Sequence, residues 1–365
     1  MSQGPDHDSS APNGRIARVH INREALHHNL ERVRFFAPGR RIMAVIKANA
    51  YGHGLLNCAN DLLAADAFAL ATLGEALELR YAGISKPLVV LQGFADTAEL
   101  SLMAQYRLQP VLHQIWQIEQ LCAAITEPLD VWLKVDTGMH RLGIPPQQVA
   151  QAWQQLKQSR VVSELRLMSH FANSDDVYNL NNNKQIECFI NTKSNIDAEC
   201  SMANSGAITA LPGSHFDWVR PGIMLYGASP LQQRTAAELG LKAVMSLQSK
   251  LIAVQRLCKG DAVGYGGTWA CPEDMPVGVV AAGYADGYPR HAPSGTSVWI
   301  NGRVCPLVGR VSMDSLCIDL RGLDAIPGDR VVLWGDELSV DQVAAHAGTI
   351  AYELLCHAGN SARLS

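Results

Sequence analysis

Several common features are missing from this 365-residue sequence, and each absence excludes a class of protein. No apolar run approaches the ~18–20 residues that a membrane-spanning helix needs, so we expect no membrane partner. Lys and Arg are scattered and number 30 against 34 Asp and Glu, for a net charge of −4, which argues against a nucleic-acid partner. Residues 1–14 lack the basic start and apolar middle of a secretory signal, and we predict a disordered tail.

Metal and disulfide patterns are missing as well. The nine cysteines are odd in number and include no Cys-x-x-Cys pair, and the twelve histidines show no His-x-His or His-x-x-x-His spacing. Scattered thiols of this kind fit a reducing compartment better than a disulfide framework or a zinc site. We therefore expect a cytoplasmic enzyme without a structural metal.

Residues 15–241 alternate short apolar runs with longer stretches of helical spacing. This alternation over roughly 225 residues predicts an α/β fold whose first domain is a closed parallel (β/α)₈ barrel of the TIM type. A doubly wound open sheet is the alternative. The eight predicted strands are Ile42–Lys47, Ala67–Leu70, Leu88–Leu91, Gln109–His113, Val131–Val135, Leu165–His170, Cys200–Ala203 and Phe216–Arg220.

Residues 242–365 have a different texture and predict a second, mostly β domain. Ser246–Leu257 indicates one long strand, and Val331–Trp334 indicates another. Val298–Ile300 and Arg303–Val304 flank Asn301-Gly302, which favours the positive φ angles of a type I′ hairpin turn. We also predict helices near Val340–Ala347 and after residue 350.

Chemically capable side chains lie at the ends of the predicted barrel strands. Lys47 ends the first strand, Arg141 follows the fifth, and His170 ends the sixth. Asn204 and Ser205 follow the seventh strand, while Arg220 and Gly222 close the eighth. Barrel enzymes place their chemistry at this face and often bind phosphate after the last two strands.

Lys47 is the first candidate for catalysis. A lysine that ends an apolar strand is partly desolvated, which lowers its pKa and favours a neutral amine able to form a Schiff base. The alternative for a lone lysine is a side chain that extends from the strand end to solvent. The run around it, residues 44–54, reads AVIKANAYGHG.

This run resembles the cofactor-binding signature of the alanine racemases, and the resemblance extends from about residue 16 to residue 356. Further signatures of that family follow in order. They are KVDTGMHRLG (134–143), MSHF (168–171), NS (204–205), DWVRPGI (217–223), VGYGGTW (263–269), GYADGYPR (283–290), VSMD (311–314) and YE (352–353).

The resemblance implies a pyridoxal 5'-phosphate enzyme with two catalytic bases. Lys47 would hold the cofactor and act on the D-side of the substrate α-carbon, and Tyr265 of the second subunit of a homodimer would act on the opposite face. Racemisation needs two such groups because a proton leaves one face and another arrives at the other. Taken alone, Tyr265 in its glycine-rich turn would more often be a packing or interface residue.

The resemblance also implies contacts to cofactor and substrate. Arg220 would donate to the pyridine nitrogen, with His170 behind Arg220 or beneath the ring; a histidine satisfied in the core is the alternative. A guanidinium gives that nitrogen no full proton, which disfavours transamination. Arg141 and the backbone N–H of Met313 would hold the substrate carboxylate. The other cofactor contacts, mostly to the phosphate, would be Tyr51, Asn204, Ser205, Gly222, Ile223 and Tyr352.

Two further assignments follow from the resemblance. Lys134 matches a position that is carbamylated in some members; an unmodified lysine or a bound chloride are alternatives. A narrow access channel would restrict the site to a small amino acid, and its residues would be Tyr284, Arg290, Arg310, Ile350 and Asp175.

Two departures from the family pattern stand out. Residue 140 is His where many relatives have Asn, which affects the surroundings of Arg141. Residues 357–365 do not resemble the usual apolar, proline-containing terminal strand, so we expect the last strand to be missing or frayed, which bears on the strength of the dimer.

The function indicated is interconversion of L- and D-alanine, either to supply D-alanine for peptidoglycan or for alanine catabolism. A racemase of the same fold acting on serine or on a broader range is the nearest alternative. A barrel-type decarboxylase usually places a carboxylate near the pyridine nitrogen, which the Arg220 match disfavours. A non-catalytic carrier of pyridoxal phosphate resembles the barrel but lacks the domain that contains Tyr265.

Overall fold

The computed structural model describes residues 14–125, 127–361 and 363–364 of the chain. They divide into two compact units. One contains Ile21–Met245 and Ala351–Cys356, and the other contains the described residues of 1–20, 246–350 and 357–365. The predicted tail, residues 1–14, lies outside the described residues except for residue 14. The predicted domain limits at 15–241 and 242–365 stay predictions.

The first of these units is a closed barrel of eight parallel strands, β2 to β9; β1 (Arg18–Ile21) precedes them. Closure is made by parallel pairing of the first barrel strand with the last, which confirms the TIM-type barrel and excludes the open sheet. Each predicted strand overlaps an observed one. The barrel strands are β2 (Arg41–Val45), β3 (Ala67–Leu70), β4 (Leu88–Val90), β5 (Gln109–Leu112), β6 (Leu129–Lys134), β7 (Val162–Met168), β8 (Cys200–Asn204) and β9 (Trp218–Arg220).

Helices follow the barrel strands, and several of these helices begin at a residue whose side chain caps them. Asn22 accepts a hydrogen bond from the Ala25 N–H, and Thr72 and Glu75 form a reciprocal capping box. The barrel strands are buried on both faces, so their sequences are continuous apolar runs. The helices are α1 (Arg23–Phe36), α2 (Lys47–Tyr51), α3 (Leu55–Asp61), α4 (Leu73–Tyr81), α5 (Thr97–Gln105), α6 (Ile115–Ala124), α7 (Pro146–Gln158), α8 (Asn181–Lys193) and α9 (Ser205–Ala210).

The other unit is built mainly on an antiparallel sheet, in which β1 and β18 pair in parallel. The long strand β10 pairs with both β13 and β17, so that six strands form a closed ring. The strands are β10 (Met245–Leu257), β11 (Ala262–Val263), β12 (Trp269–Ala270), β13 (Met275–Val280), β14 (Ser297–Ile300), β15 (Arg303–Val308), β16 (Leu316–Asp319), β17 (Arg330–Trp334) and β18 (Arg363–Leu364).

The predicted hairpin and helices of this part of the chain are confirmed. Asn301 and Gly302 have φ angles of 46° and 79°, as a type I′ turn between β14 and β15 requires. The two helices are α10 (Val340–Ala347) and α11 (Ala351–Ser361). A terminal strand is present, two residues long, so the expectation that it is missing is wrong. The membership of β1 in this sheet was not predicted.

Across the described residues, no helix combines the length and the apolar character of a membrane span. The same residues contain no group of three or more His, Cys, Asp or Glu placed to hold a metal ion.

Candidate active site

The carboxyl ends of the barrel strands bring the predicted site residues of the first unit to one face. Arg220 ends β9, and Asn204 ends β8 directly before Ser205. His170 follows β7 by two residues, and Arg141 lies in the loop after β6. Parallel strands of a closed barrel end on the same side, so residues far apart in sequence become neighbours there.

The sequence predicted that Lys47 ends the first barrel strand, and this prediction is wrong. Strand β2 ends at Val45, and Lys47 opens the short turn α2. Ala48, Asn49, Ala50 and Tyr51 all have left-handed φ angles, between 52° and 54°. For residues other than glycine this conformation costs about 1–2 kcal/mol each, so the surrounding structure must hold the turn in place. Lys47 precedes the strained residues and Tyr51 is the last of them, so the turn sets the positions of both.

Hydrogen bonds within and around the turn offset part of that cost. The Ala50 N–H donates to the Ile46 carbonyl at 2.9 Å, and the Gly52 N–H donates to the Ala48 carbonyl at 3.0 Å. The buried His53 ring places Nδ1 at 3.0 Å from the carbonyl oxygens of Ala50 and Tyr51. His53 Nδ1 must then carry the proton, because a carbonyl oxygen only accepts.

Tyr51, Ser205 and Gly222 form a compact cradle. The Ser205 hydroxyl oxygen accepts from the N–H groups of Gly222 at 2.8 Å and of Met224 at 3.4 Å. A Cβ on Gly222 would lie only 2.5 Å from the Tyr51 hydroxyl oxygen, so no larger residue fits there without displacing that phenol. Burial raises the pKa of Tyr51, which keeps its hydroxyl a donor.

Two other tyrosines flank the Tyr51 ring. Tyr226 stacks on it with 4.7 Å between ring centroids, and the ring of Tyr352 lies 5.8 Å away. Ile223 begins the turn Ile223–Tyr226 next to Gly222, and its N–H donates no hydrogen bond within the described residues. The predicted phosphate residues are therefore brought together. Asn204 differs, because its side-chain oxygen caps α9 and accepts from Ala207 N and Ser174 Oγ.

Arg220 is buried and held by neutral groups. Its guanidinium donates to Ser201 Oγ at 2.6 Å, to the Ser169 carbonyl at 2.5 Å and to His170 Nδ1 at 3.2 Å. Burial lowers the pKa of Arg220 to about 10, which leaves it charged at neutral pH. Burial and then the charge of Arg220 lower the pKa of His170, so His170 is neutral. The sequence did not single out Ser169 or Ser201.

Lys47, Lys134, Arg141 and Arg220 form what we call the cation cluster. Burial lowers the pKa of Lys134 to about 8, and the charges of Arg220, Arg141 and Lys47 add to that effect. Burial and then Arg141 lower the pKa of Lys47, while Glu75 opposes them. Within the described residues, no carboxylate forms an ion pair with any of the four. The negative charges of Glu75 and Asp136 offset only part of the lowering of the Lys47 and Lys134 pKa values. Cations that form no ion pair with a protein carboxylate favour an anionic ligand.

The other unit brings together three loops with predicted site residues. Tyr265 opens a tight turn after Gly264 (φ 74°), and its side chain is 70% exposed. A Cβ on Gly309 would lie 2.6 Å from the Val263 carbonyl oxygen, and one on Gly266 would lie 3.3 Å from the Arg310 guanidinium. The Tyr265 turn therefore packs closely on the loop that contains Arg310.

The third loop contains Tyr284. The Tyr284 N–H donates to the Ser312 carbonyl at 3.1 Å, and the Ala285 N–H donates to that of Met313 at 3.0 Å. The Met313 N–H itself donates to no acceptor within the described part of the chain. Arg15, which the sequence did not indicate, pairs with Asp286 and with Asp314, at 2.7 Å for the latter, and so connects the same two loops.

The remaining predicted channel residues are Arg290, Ile350 and Asp175. Among the described residues, no hydrogen bond connects Arg290 or Ile350 to the loops of Tyr265, Tyr284 and Met313, and Ile350 is 61% exposed. Asp175 belongs to the barrel unit, where its carboxylate accepts from the Gln232 amide at 2.7 Å.

Comparison with known proteins gives matches along nearly the whole chain. The family model for the alanine racemase N-terminal domain matches residues 21–230, and that for the C-terminal domain matches residues 244–364. An alanine racemase of Nitrosococcus oceani is 54% identical over 92% of this chain and 95% of its own length. An alanine racemase of Vibrio cholerae is 48% identical over 93% of this chain and 95% of its own length.

Solved structures agree. The biosynthetic alanine racemase of Pseudomonas aeruginosa superposes with a TM-score of 0.94 at 43% identity, covering 96% of this chain and 99% of that one. The alanine racemase of Bartonella henselae, solved with covalently bound pyridoxal phosphate, superposes with a TM-score of 0.86 at 30% identity. The match covers 96% of this chain and 99% of that one. The chain therefore belongs to the alanine racemase family.

Proposed function

We propose that this protein interconverts L- and D-alanine with pyridoxal 5'-phosphate held on Lys47. The observation that carries the proposal is the cation cluster, which includes a lysine of lowered pKa at the carboxyl end of the barrel and forms no ion pair with a carboxylate of the described residues. Such a site suits a ligand with a phosphate and a substrate with a carboxylate. The relatives named above, and the cofactor bound in the Bartonella protein, support the same reading.

The residues present fit this cofactor. The Tyr51 phenol, the Ser205 hydroxyl and the Ile223 N–H are available donors for the phosphate, beside a Gly222 that leaves room for nothing larger. Tyr352 lies next to Tyr51 and would add a second phenol. When bound, the cofactor withdraws electrons from the substrate and makes its α-hydrogen acidic.

Arg220 would face the pyridine nitrogen and donate a hydrogen bond without transferring its proton. Its partners within the described residues are the Ser201 hydroxyl, two backbone carbonyls and the neutral His170, and none is a carboxylate. A carboxylate in this place would stabilise a protonated pyridine nitrogen and favour decarboxylation or transamination. The chemistry of Arg220 thus favours simple return of a proton to the α-carbon.

Lys47 and Tyr265 would be the two bases. The lowered pKa of Lys47 increases the fraction of neutral amine that can accept a proton from D-alanine. Tyr265 would act on L-alanine from the opposite face, contributed by a second copy of the chain in a homodimer; its exposure is compatible with that role. Arg141 and the unpaired Met313 N–H would hold the substrate carboxylate.

Lys134 would be carbamylated. A buried amine with a pKa of about 8 is partly neutral, so its nitrogen can add to carbon dioxide and release a proton. The resulting carboxylate would supply the negative charge that Arg141 and Arg220 lack. Tyr284, Arg290, Arg310, Ile350 and Asp175 would narrow the access channel to a small amino acid. The physiological role would be D-alanine supply for peptidoglycan or alanine catabolism, in the cytoplasm.

The function is tested by circular dichroism of L-alanine and L-serine solutions incubated with protein and cofactor. We expect the L-alanine signal to decay to zero, about 10- to 100-fold faster than that of L-serine. Comparable rates would indicate a broader racemase. Cofactor binding without decay of either signal would indicate a carrier and contradict the proposal.

Gly222→Ala tests the cradle. The new methyl group must displace the Tyr51 hydroxyl, so we expect the Kd for pyridoxal phosphate to rise about tenfold or more. Gly213→Ala is the matched control, because a Cβ there meets nothing within 4 Å. Titration of apoprotein with cofactor measures both, and equal affinities in the two variants would refute the cradle.

Tyr265→Phe tests the assignment of faces. Losing the phenol should slow α-hydrogen exchange from L-alanine in deuterium oxide by about 100-fold or more, and exchange from D-alanine far less. Tyr178→Phe, at a side chain that is 80% exposed, is the control and should change neither rate. Equal losses for the two enantiomers in Tyr265→Phe would exclude the two-base assignment.

Mixing tests whether two chains share a site. Lys47→Ala and Tyr265→Phe proteins should each be inactive, and random subunit exchange makes half of the dimers mixed, each with one intact site. We therefore expect about a quarter of wild-type activity in the mixture. Absence of recovery, after mass spectrometry has shown mixed dimers, would count against a shared site.

A further inference from the structure

The left-handed turn between Lys47 and Tyr51 has a partner outside its own segment. The Ala48 N–H, at the first strained residue, donates to Glu75 Oε1 at 2.6 Å. Glu75 lies in the first turn of α4, after the next barrel strand. A hydrogen bond to a carboxylate is among the stronger ones available to a backbone N–H.

The other carboxylate oxygen of Glu75 is fixed separately. Glu75 Oε2 accepts from Ala71 N at 2.9 Å and from Thr72 N at 3.2 Å, while the Glu75 N–H donates to Thr72 Oγ1. One side chain thus connects the loop after β3 with the turn after β2. The capping box of α4 accounts for the Oε2 contacts. It does not account for the contact to Ala48.

We propose that Glu75 is a positioning residue, which holds the left-handed turn so that Lys47 and Tyr51 face the same site. The test of this inference by cofactor binding rests on the proposed function, in which Lys47 and Tyr51 hold the cofactor. The charge of Glu75 also reaches Lys47, because it opposes the lowering of the Lys47 pKa by burial and by Arg141.

Glutamine cannot replace Glu75 in this arrangement. The carboxylate accepts from three N–H groups on two sides, whereas an amide offers one oxygen and one NH₂. The NH₂ of Glu75→Gln would face N–H donors on one of the two sides. The variant keeps the size of the side chain and loses one connection together with the charge.

Two controls separate this role from helix capping. Glu78→Gln makes the same chemical change three residues further along α4, at an exposed position. Thr72→Ala removes the Thr72 half of the capping box and leaves Glu75 its contact with Ala48. If Glu75 only caps α4, Thr72→Ala should reproduce the effects of Glu75→Gln.

The first readout needs no cofactor. Hydrogen exchange of apoprotein amides in residues 48–52, followed by NMR or mass spectrometry, should be about tenfold faster in Glu75→Gln than in wild type. Both controls should exchange within about twofold of wild type at these amides. Unchanged exchange in Glu75→Gln, or equal acceleration in Thr72→Ala, overturns the inference.

The second readout is the Kd of apoprotein for pyridoxal phosphate, which we expect to rise about tenfold in Glu75→Gln and less than twofold in the controls. If wild-type protein does not bind the cofactor, the proposed function fails while the exchange measurement still decides the role of Glu75. If wild type binds and Glu75→Gln binds equally well, the positioning role is wrong.

Glu75→Asp is the second variant if Glu75→Gln does not fold. Aspartate keeps the charge, but its shorter side chain cannot reach Ala48 while capping α4. We expect exchange at residues 48–52 to be at least about threefold faster than in wild type. Exchange at the wild-type rate in Glu75→Asp overturns the inference.

Discussion

Positive charge gathered at one end of the barrel, without an ion pair to any carboxylate in the described part of the chain, is the constraint on which the candidate site depends. Burial lowers the pKa of Lys134 and Arg220, and the mutual repulsion of the cations lowers those of Lys134 and Lys47 further. Such an arrangement is costly for the free protein and is relieved by anionic ligands. Under the proposed function, the free energy lost here by the free protein is recovered when the cofactor and substrate bind.

The strained backbone after Lys47 adds a second unfavourable contribution to the free energy of folding. Four consecutive left-handed residues other than glycine separate Lys47 from Gly52, and they persist because hydrogen bonds from several directions hold them. His53 fixes the turn from within the segment, and Glu75 does so from the neighbouring βα unit. The position of the Lys47 backbone, and with it of the amine proposed to hold the cofactor, is thus set by rigid elements.

Close backbone approach organises the second unit in a similar way. Gly283 and Gly309 lie where a Cβ would meet a carbonyl oxygen at 2.3 Å and 2.6 Å. Their absence of side chains lets the loops of Tyr265, Arg310 and Tyr284 pack together. Arg15 adds an ion pair to the buried Asp286, which also accepts from the Gly283 N–H. The close contacts at these glycines and the ion pair of Arg15 with Asp286 therefore hold the three loops in place.

The sequence alone determined the barrel, the hairpin at Asn301-Gly302 and the order of the site residues along the strand ends. These depend on local patterns: apolar runs of strand length, helical spacing between them, and a dipeptide suited to positive φ. The motifs also led to Lys47, Tyr51, Ser205 and Gly222, which the structure brings together, Lys47 through the turn that ends at Tyr51.

Only the tertiary structure decided the rest. No local propensity predicts a left-handed turn through Ala48 and Ala50, since alanine disfavours it and distant acceptors such as Glu75 make it stable. Strand β1 joins a sheet formed by residues more than 200 positions later, and the contact of Tyr51 with Tyr352 spans a similar distance. Such pairings arise from packing of the folded chain, and a single sequence carries no local signal for them.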